Sequence, residues 1–269
     1  MKTGLKTKHV VVTGASSGIG FDSTSLFLAE GAKVTACYKS DMRNLSALTE
    51  SYPERLNVVK VDVRNESEVE LLFTEANTVF GRVDVTVANA GIAFHEEVAV
   101  HEMSIEQWQK TIAVNLTGAF LCAKHFFANL KKYPGDDASL VLVGSTAGEI
   151  GQACYCDYST SKAGLRGLMM SLKNEIVHLA VRGRVNSVNP GWTVTPMTEG
   201  ELSDKAMVSK IIQTIPLRKV ATPFDISNAI LYLSSDKSAG HVSGQTITVA
   251  GGMDGRVLFS TDEVEGYMK

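Results

Sequence analysis

The chain has 269 residues, of which 44% are hydrophobic and 20% charged, and its formal net charge is −3. A chain of this length and apolar content can bury one large core, so a single domain over residues 1–269 is expected. The near-neutral balance, without a long block of like charge, excludes nucleic acid and an anionic membrane as expected partners and favours a small molecule.

The sequence indicates neither a signal peptide nor a spanning helix. Near the N-terminus the only apolar run is residues 10–12, which is too short for a signal-peptide core. No stretch approaches the ~18 consecutive apolar residues that a spanning helix needs. A soluble, cytoplasmic protein is therefore expected. The four cysteines lack a Cys-x-x-Cys spacing, so no disulfide framework and no metal site is expected.

Short β-branched runs alternate with longer amphipathic stretches, a pattern that predicts an α/β fold with a parallel sheet. Several strands are apolar on both faces, which predicts helices on both faces of the sheet. The predicted strands are 9–13, 33–38, 57–61, 83–88, 139–145, 184–189 and 246–249, and the predicted helices are about 18–30, 66–79, 104–131, 158–180 and 223–234. Ligands of such sheets bind at the carboxyl ends of the strands, so these ends are where functional residues are expected.

The first predicted strand runs directly into a turn with glycines at 14, 18 and 20. One interpretation is a phosphate cradle in which Gly14 permits a tight turn, Gly18 admits the pyrophosphate and Gly20 allows helix and strand to pack closely. The same letters fit a Gly-x-Ser-x-Gly nucleophile elbow, which would make the chain a serine hydrolase acting through Ser16. A hydrolase also needs an acid and a histidine at later strand ends, and neither His178 nor His241 has that setting, so the cradle is favoured.

A second group of residues supports the cradle. Tyr158 and Lys162 are four residues apart on a predicted helix, so both side chains point to one face. A lysine ammonium beside a phenol is expected to lower the tyrosine pKa towards neutrality, which suits proton exchange with an alcohol or carbonyl. An amphipathic helix edge would give the same spacing by chance. Ser145, however, ends the preceding strand, and Asn115 lies in the long helix before it.

Together these motifs resemble the short-chain dehydrogenase/reductase family over nearly the whole chain. The matching segments, in order, are residues 13–20, Asp62-Val63, Asn89-Ala90-Gly91, Asn115, Ser145, Tyr158 with Lys162, and Asn189-Pro190-Gly191 with Thr195. The resemblance implies a single Rossmann-type domain with a doubly wound, seven-stranded parallel sheet. It also implies a catalytic tetrad of Asn115, Ser145, Tyr158 and Lys162.

By that resemblance, Tyr158 is the general acid when a carbonyl is reduced and the general base when an alcohol is oxidised. Lys162 would hold Tyr158 near its working pKa and bond the nicotinamide ribose. Ser145 would hydrogen-bond the reacting oxygen, and Asn115 would seat a water that passes protons out behind Lys162.

The resemblance also implies which residues contact a dinucleotide. They are the glycine turn (Gly14, Ser16, Ser17, Gly18, Ile19, Gly20), Asp62 and Val63 at the adenine, Asn89, Ala90 and Gly91 after the fourth strand, Tyr158, Lys162, Pro190, Gly191, and Thr195 at the carboxamide. Asp62 could instead cap the next helix.

The choice of dinucleotide depends on the end of the second strand. Tyr38 stands where relatives that prefer NAD carry an aspartate, and Lys39 follows it. A basic group there favours the 2′-phosphate, so NADP(H) is expected, with NAD as the alternative.

Substrate selection is expected from residues 145–155, the segment after Gly91, and residues 192–215, which would form a lid. The expected substrate is a small ketone or secondary alcohol, or a sugar or polyol; the alternatives are a 3-oxoacyl chain on a carrier protein and a non-catalytic dinucleotide sensor. Relatives usually form tetramers or dimers, so a homo-oligomer is expected. Residues 256–269 look like an added tail.

Overall fold

Seven parallel strands form one sheet in the computed structural model, which describes residues 3–265. The strands are β1 (His9–Val12), β2 (Lys33–Tyr38), β3 (Leu56–Lys60), β4 (Val85–Ala88), β5 (Asp137–Val143), β6 (Arg182–Pro190) and β7 (Thr246–Val249). All seven predicted strands are confirmed. The fifth ends earlier than predicted, so Ser145 lies in the loop just beyond it.

The helices are α1 (Gly18–Ala29), α2 (Leu45–Ser51), α3 (Glu66–Phe80), α4 (Ile105–Ile112), α5 (Gly118–Lys132), α6 (Ala147–Ile150), α7 (Cys156–Glu175), α8 (Glu199–Ser203), α9 (Lys205–Ile212), α10 (Pro223–Ser234), α11 (Asp236–Ala239) and α12 (Thr261–Glu265). A π-helical turn, Ala113–Thr117, joins α4 to α5. The sequence predicted one uninterrupted helix there, and it missed α2, α6, α8, α9, α11 and α12. These six have four to eight residues, too few to establish a 3.6-residue apolar period.

Helix ends follow local chemistry. The Asn65 side chain accepts a hydrogen bond from the Ser67 amide and begins α3, which ends at Gly81 in the left-handed region (φ +79°). Thr222 and Asp225 form a capping box that begins α10. These short-range signals fix where the helices begin and end, and therefore the limits of the loops over the sheet edge.

The core has two layers because strand side chains alternate between the two faces of the sheet. Val11 points into the layer formed with α3, α5 and α7, whereas Val10 and Val12 point into the layer formed with α1 and α10. Phe126 and Phe27 are fully buried, one in each layer. The predicted covering of both sheet faces is confirmed.

The strand order is β3-β2-β1-β4-β5-β6-β7. The chain winds outward from β1 in one direction through β2 and β3, and in the other through β4 to β7. This is the doubly wound, Rossmann-type arrangement, and its crevice opens where β1 and β4 lie side by side. The site residues therefore gather at the carboxyl ends of these two strands and their neighbours.

The helical run 105–132 is long and apolar enough by composition to cross a membrane, the one such run among residues 3–265. The sequence analysis did not anticipate it. Half of its apolar window is buried inside the fold, where Phe126 and Leu130 belong to the core. A core helix has the same composition, so the run gives no independent support for a membrane span.

Candidate active site

A cleft of about 340 Å³ opens over the carboxyl ends of the strands, and a side pocket of about 270 Å³ adjoins it. Both cavities are lined by Ser145, Tyr158 and Gly191. All the predicted dinucleotide contacts except Gly20 line the cleft. The fold thus brings these predicted contacts from six separate segments of the chain to one cavity.

The glycine turn needs its glycines for different physical reasons. Gly14 and Gly18 have φ values of +65° and +53°, which favour glycine. A Cβ on Gly20 would collide with the carbonyl oxygen of Gly14, so Gly20 lies behind the cleft and lets α1 pack against the turn. Ser17 caps α1 without a side-chain hydrogen bond, so no cap side chain occupies the first amides of the helix, whose residues Gly18 and Ile19 line the cleft.

Asn89 joins this turn to the end of β4 by hydrogen bonds. Its side-chain amide donates to the carbonyl oxygens of Thr13 (2.9 Å) and Gly14 (3.2 Å), and its backbone amide donates to the Thr13 hydroxyl. The next residues, Ala90 and Gly91, line the cleft. The shape of the cradle is therefore held by hydrogen bonds within the protein.

A three-residue ion cluster lies at the other end of the cleft. The Asp62 carboxylate pairs with the Arg64 guanidinium (2.6 Å) and the Lys39 ammonium (3.2 Å). These hydrogen bonds, those from Arg64 first, hold the pKa of Asp62 well below its ordinary value. Asp62 does not cap α3, because Asn65 occupies that position. Sequence reasoning missed Arg64, although a second cation two residues beyond Asp62 was a readable signal.

Tyr158 and Lys162 lie on successive turns of α7 and both line the cleft. Lys162 Nζ is 5.7 Å from the centroid of the Tyr158 ring and donates to the Val143 carbonyl oxygen at 2.9 Å. The Tyr158 hydroxyl hydrogen-bonds with Ser145. The three side chains that the sequence grouped together therefore meet at the junction of the cleft and the side pocket.

The expected lowering of the Tyr158 pKa is wrong. Burial raises the pKa of Tyr158, and the hydrogen bond with Ser145 only partly opposes that rise. Burial also lowers the pKa of Lys162, to about 8. The lysine points its ammonium at a backbone carbonyl, and desolvation disfavours the charged form of both groups.

Asn115 lies behind the cleft wall, on the π-helical turn. Its Oδ1 accepts from the Ile92 amide (2.8 Å), and its Nδ2 donates to the Ile92 carbonyl oxygen (2.9 Å) and to Ser161 Oγ (3.0 Å). Both amide hydrogens are thus used within the protein. The water-seating role expected of Asn115 stays a prediction; the contacts of its side chain join the loop after β4 to α7.

The side pocket is mostly apolar. Its lining residues include Phe94, Ile150, Trp192, Met197 and Met253, together with the polar Gln152, Glu201 and Thr214. The predicted lid, 192–215, contains α8 and α9 and covers one wall of this pocket. Sequence reasoning did not single out Glu201, because α8 is only five residues long.

Comparisons with known proteins agree with this architecture. A family profile described as enoyl-(acyl carrier protein) reductase matches residues 14–254. A 3-oxoacyl-[acyl-carrier-protein] reductase of Synechocystis sp. is 34% identical over 255 residues, covering 93% of this chain and 98% of that protein. The 3beta-hydroxysteroid dehydrogenase 1 of Eggerthella lenta is 36% identical over 258 residues, covering 93% and 94%. Among solved structures, a short-chain dehydrogenase/reductase from Brucella melitensis, described as a glucose/ribitol dehydrogenase, superposes with a TM-score of 0.85 at 32% identity. That match covers 95% of this chain and 100% of the other.

The buried ammonium of Lys162 generates a prediction about stability. Lys162→Met is expected to raise the free energy of unfolding at neutral pH by about 1–2 kcal/mol, because the desolvation cost exceeds the value of one lost hydrogen bond. The folded pKa is about 8 and the ordinary one 10.5, so the cost is complete below pH 8 and disappears as the pH rises through 10.5.

Urea denaturation at neutral and alkaline pH measures both effects. The advantage of the Met variant should shrink as the pH rises from 8 to 10.5. Lys131→Met, at an exposed position near the end of α5, is the matched control and should leave the unfolding free energy nearly unchanged. A Met variant that is less stable than the parent at neutral pH would contradict the assignment of a desolvated ammonium.

Proposed function

Because the chain belongs to the short-chain dehydrogenase/reductase family of NAD(P)-dependent oxidoreductases, which act on CH–OH and C=O groups, we propose that it transfers a hydride between NADP(H) and a small ketone or secondary alcohol. One observation carries the proposal. Ser145, Tyr158 and Lys162 meet where the glycine-lined cleft joins the apolar side pocket. A proton donor, a hydrogen-bond donor and a cation thus converge on the place where a carbonyl oxygen would sit.

The cleft fits a dinucleotide on its own geometry. The positive φ values of Gly14 and Gly18 and the open amides of α1 make a cradle for a pyrophosphate. A side chain at Gly91 would lie 3.3 Å from Lys162 Nζ, so glycine keeps the approach to the lysine open. When bound, the nicotinamide would supply or accept the hydride.

The chain's own residues would handle the proton. In reduction, the Tyr158 hydroxyl gives its proton to the carbonyl oxygen as the hydride reaches the carbon, and a phenolate remains. In oxidation, the phenolate takes the proton from the alcohol. Ser145 donates a hydrogen bond to the same oxygen and lowers the energy of the charge that develops there.

Lys162 would stabilise the phenolate after proton donation, when a negative charge has formed next to its ammonium. Asn115 is a positioning residue in this scheme. It fixes Ile92 and Ser161, and through them the loop after β4 relative to α7.

We favour NADP(H) over NAD because two cations, Lys39 and Arg64, share the single carboxylate of Asp62 at the outer end of the cleft. The cluster carries a net positive charge, which suits a 2′-phosphate. Thr195 lines the cleft near Gly18, and its contact with the carboxamide stays a prediction.

Other substrates and functions are weaker candidates. A 3-oxoacyl chain on a carrier protein is the second candidate, because the Synechocystis relative bears that name; a sugar or polyol is a third, from the name of the Brucella protein. For a hydrolase at Ser16, no hydrogen bond links that serine to a histidine within residues 3–265. A non-catalytic sensor would not need the Ser145–Tyr158–Lys162 group.

A homo-oligomer remains our proposal. Phe120 on α5 and Met170 on α7 are exposed apolar side chains on two long helices, which we propose as the contact surface. Sedimentation equilibrium should return two or four times the chain mass of 28.9 kDa; the mass of one chain would reject the proposal. The cytoplasmic location and the single domain over 1–269 stay predictions, and residues 266–269 of the expected tail lie outside the described residues.

Tyr158→Phe removes the proton donor and should lower turnover by about 10²–10⁴-fold, with cofactor affinity nearly unchanged. Tyr133→Phe, a tyrosine that follows α5 outside both cavities, is the matched control and should keep full turnover. Steady-state kinetics and fluorescence titration with NADPH measure the two quantities. Undiminished turnover in Tyr158→Phe would remove this residue from the mechanism.

The raised pKa of Tyr158 sets the direction of the pH dependence. At neutral pH the phenol is protonated, so carbonyl reduction should be favoured there and kcat/KM for reduction should fall as the pH rises. Alcohol oxidation needs the phenolate, so its kcat/KM should rise through the alkaline range. Opposite slopes in the two directions are the expected result, and parallel slopes would contradict it.

Lys39→Glu places a second carboxylate beside Asp62 and should raise KM for NADPH at least about tenfold, with little change for NADH, because only NADPH carries the 2′-phosphate. Lys131→Glu, near the end of α5, is the control for the added negative charge. Initial rates with each cofactor measure the ratio. A parent protein that prefers NADH, with a preference that Lys39→Glu does not alter, would overturn the NADP(H) assignment.

A further inference from the structure

The side pocket is asymmetric in its chemistry. Tyr158 and Ser145 lie at the end that joins the cleft, and most of the remaining wall is apolar. Glu201, on α8, contributes a carboxylate to this wall. A carboxylate in apolar surroundings is costly unless a hydrogen-bond donor satisfies it.

The two carboxylate oxygens of Glu201 differ. Oε1 lies 3.7 Å from His95 Nδ1, whose imidazole is largely exposed. Oε2 is buried and has no hydrogen-bond partner among the described residues. A buried acceptor without a donor costs about 1–3 kcal/mol, and more when it is charged. A carboxylate of the pocket wall therefore keeps one oxygen that no described residue uses as an acceptor.

The Tyr155 hydroxyl does not compete for this role. Tyr155 donates its hydroxyl to the carbonyl oxygen of His95 (3.4 Å) and so closes the loop beside Glu201. Burial raises the pKa of Tyr155, and the charges of Glu97 and Glu201 add to that effect, so the phenol stays protonated and neutral beside the carboxylate. Glu201 is left as the carboxylate acceptor of the pocket wall.

We propose that Glu201 determines substrate specificity by accepting a hydrogen bond from a donor group on the substrate, remote from the reacting carbon. The inference rests on the proposed function, because it assigns the second contact of a ketone or alcohol held at Tyr158. The substrate class is a mainly apolar ketone or secondary alcohol that carries a further hydroxyl or ammonium group.

The same carboxylate selects against other substrates. A substrate carboxylate brought near Oε2 would meet a like charge in a poorly solvated pocket, which is strongly unfavourable. An ether at the same position would bring no hydrogen and would leave Oε2 unpaired. Charge and hydrogen-bond capacity, more than size, should therefore decide which ketones are reduced.

Matched ketones test this directly. The probes are cyclohexanones that carry a hydroxyl, an ammonium, a methoxy or a carboxylate group on the ring carbon opposite the carbonyl, with kcat/KM measured for each. In the parent protein the hydroxyl and ammonium compounds should exceed the methoxy compound by about ten- to hundredfold, the value of a hydrogen bond to a charged group. The carboxylate compound should be the poorest substrate.

Two variants separate charge from hydrogen bonding. Glu201→Met removes the acceptor and should bring the hydroxyl-to-methoxy ratio close to one. Glu201→Gln keeps an acceptor but no charge, so the ammonium compound should lose its advantage and the carboxylate compound should improve. Glu199→Gln, at an exposed position of the same helix, is the matched control and should leave every ratio unchanged.

The outcomes distinguish a failure of the Glu201 assignment from a failure of the proposed function. Equal kcat/KM for all four ketones in the parent protein, or ratios that neither Glu201 variant alters, would overturn the assignment of Glu201 while leaving the oxidoreductase proposal in place. A parent protein that turns over none of these ketones with either NADPH or NADH would refute the proposed function, and the inference with it.

Discussion

A lysine ammonium held inside the protein is the constraint around which the site is arranged. Lys162 is only 7% exposed, and its Nζ has the Val143 carbonyl oxygen as its hydrogen-bond acceptor. Gly148 packs against this lysine, and a Cβ there would lie 3.0 Å from Lys162 Cβ. The fold therefore keeps a charge where water would normally stabilise it. Such a position weakens stability, and the proposed role of the ammonium beside a Tyr158 phenolate would explain it, because the cation is poorly screened there.

The sheet topology makes this arrangement rigid. β1 pairs with both β2 and β4, and the Asn89 side chain joins the end of β4 to the turn after β1. The glycine turn is thus preorganised, and little conformational entropy remains to be lost when a phosphate binds. A second asparagine side chain makes a similar link near Lys162, because Asn115 joins the loop after β4 to α7.

The two ends of the combined cavity differ in electrostatic character. At the outer end, Lys39, Asp62 and Arg64 are partly exposed, so solvent screens their attraction and they can rearrange around a ligand. At the inner end, Tyr158, Lys162 and Glu201 Oε2 are poorly solvated, so water screens a charge there only weakly. Affinity for a large anionic ligand suits the first environment, and chemistry with selection of a small substrate suits the second.

The sequence by itself determined what local rules control. Strand positions follow from β-branched runs, the turn from glycines at positions that need positive φ, and the shared face of Tyr158 and Lys162 from a four-residue helical spacing. Only the tertiary structure decided the rest, because burial and long-range contacts are not local properties. Burial raises the pKa of Tyr158, whereas the sequence predicted a lowering. The side-chain amide of Asn115 donates a hydrogen bond to Ile92 in the loop after β4. A helix too short to leave a periodic signal places Glu201 on the wall of the side pocket.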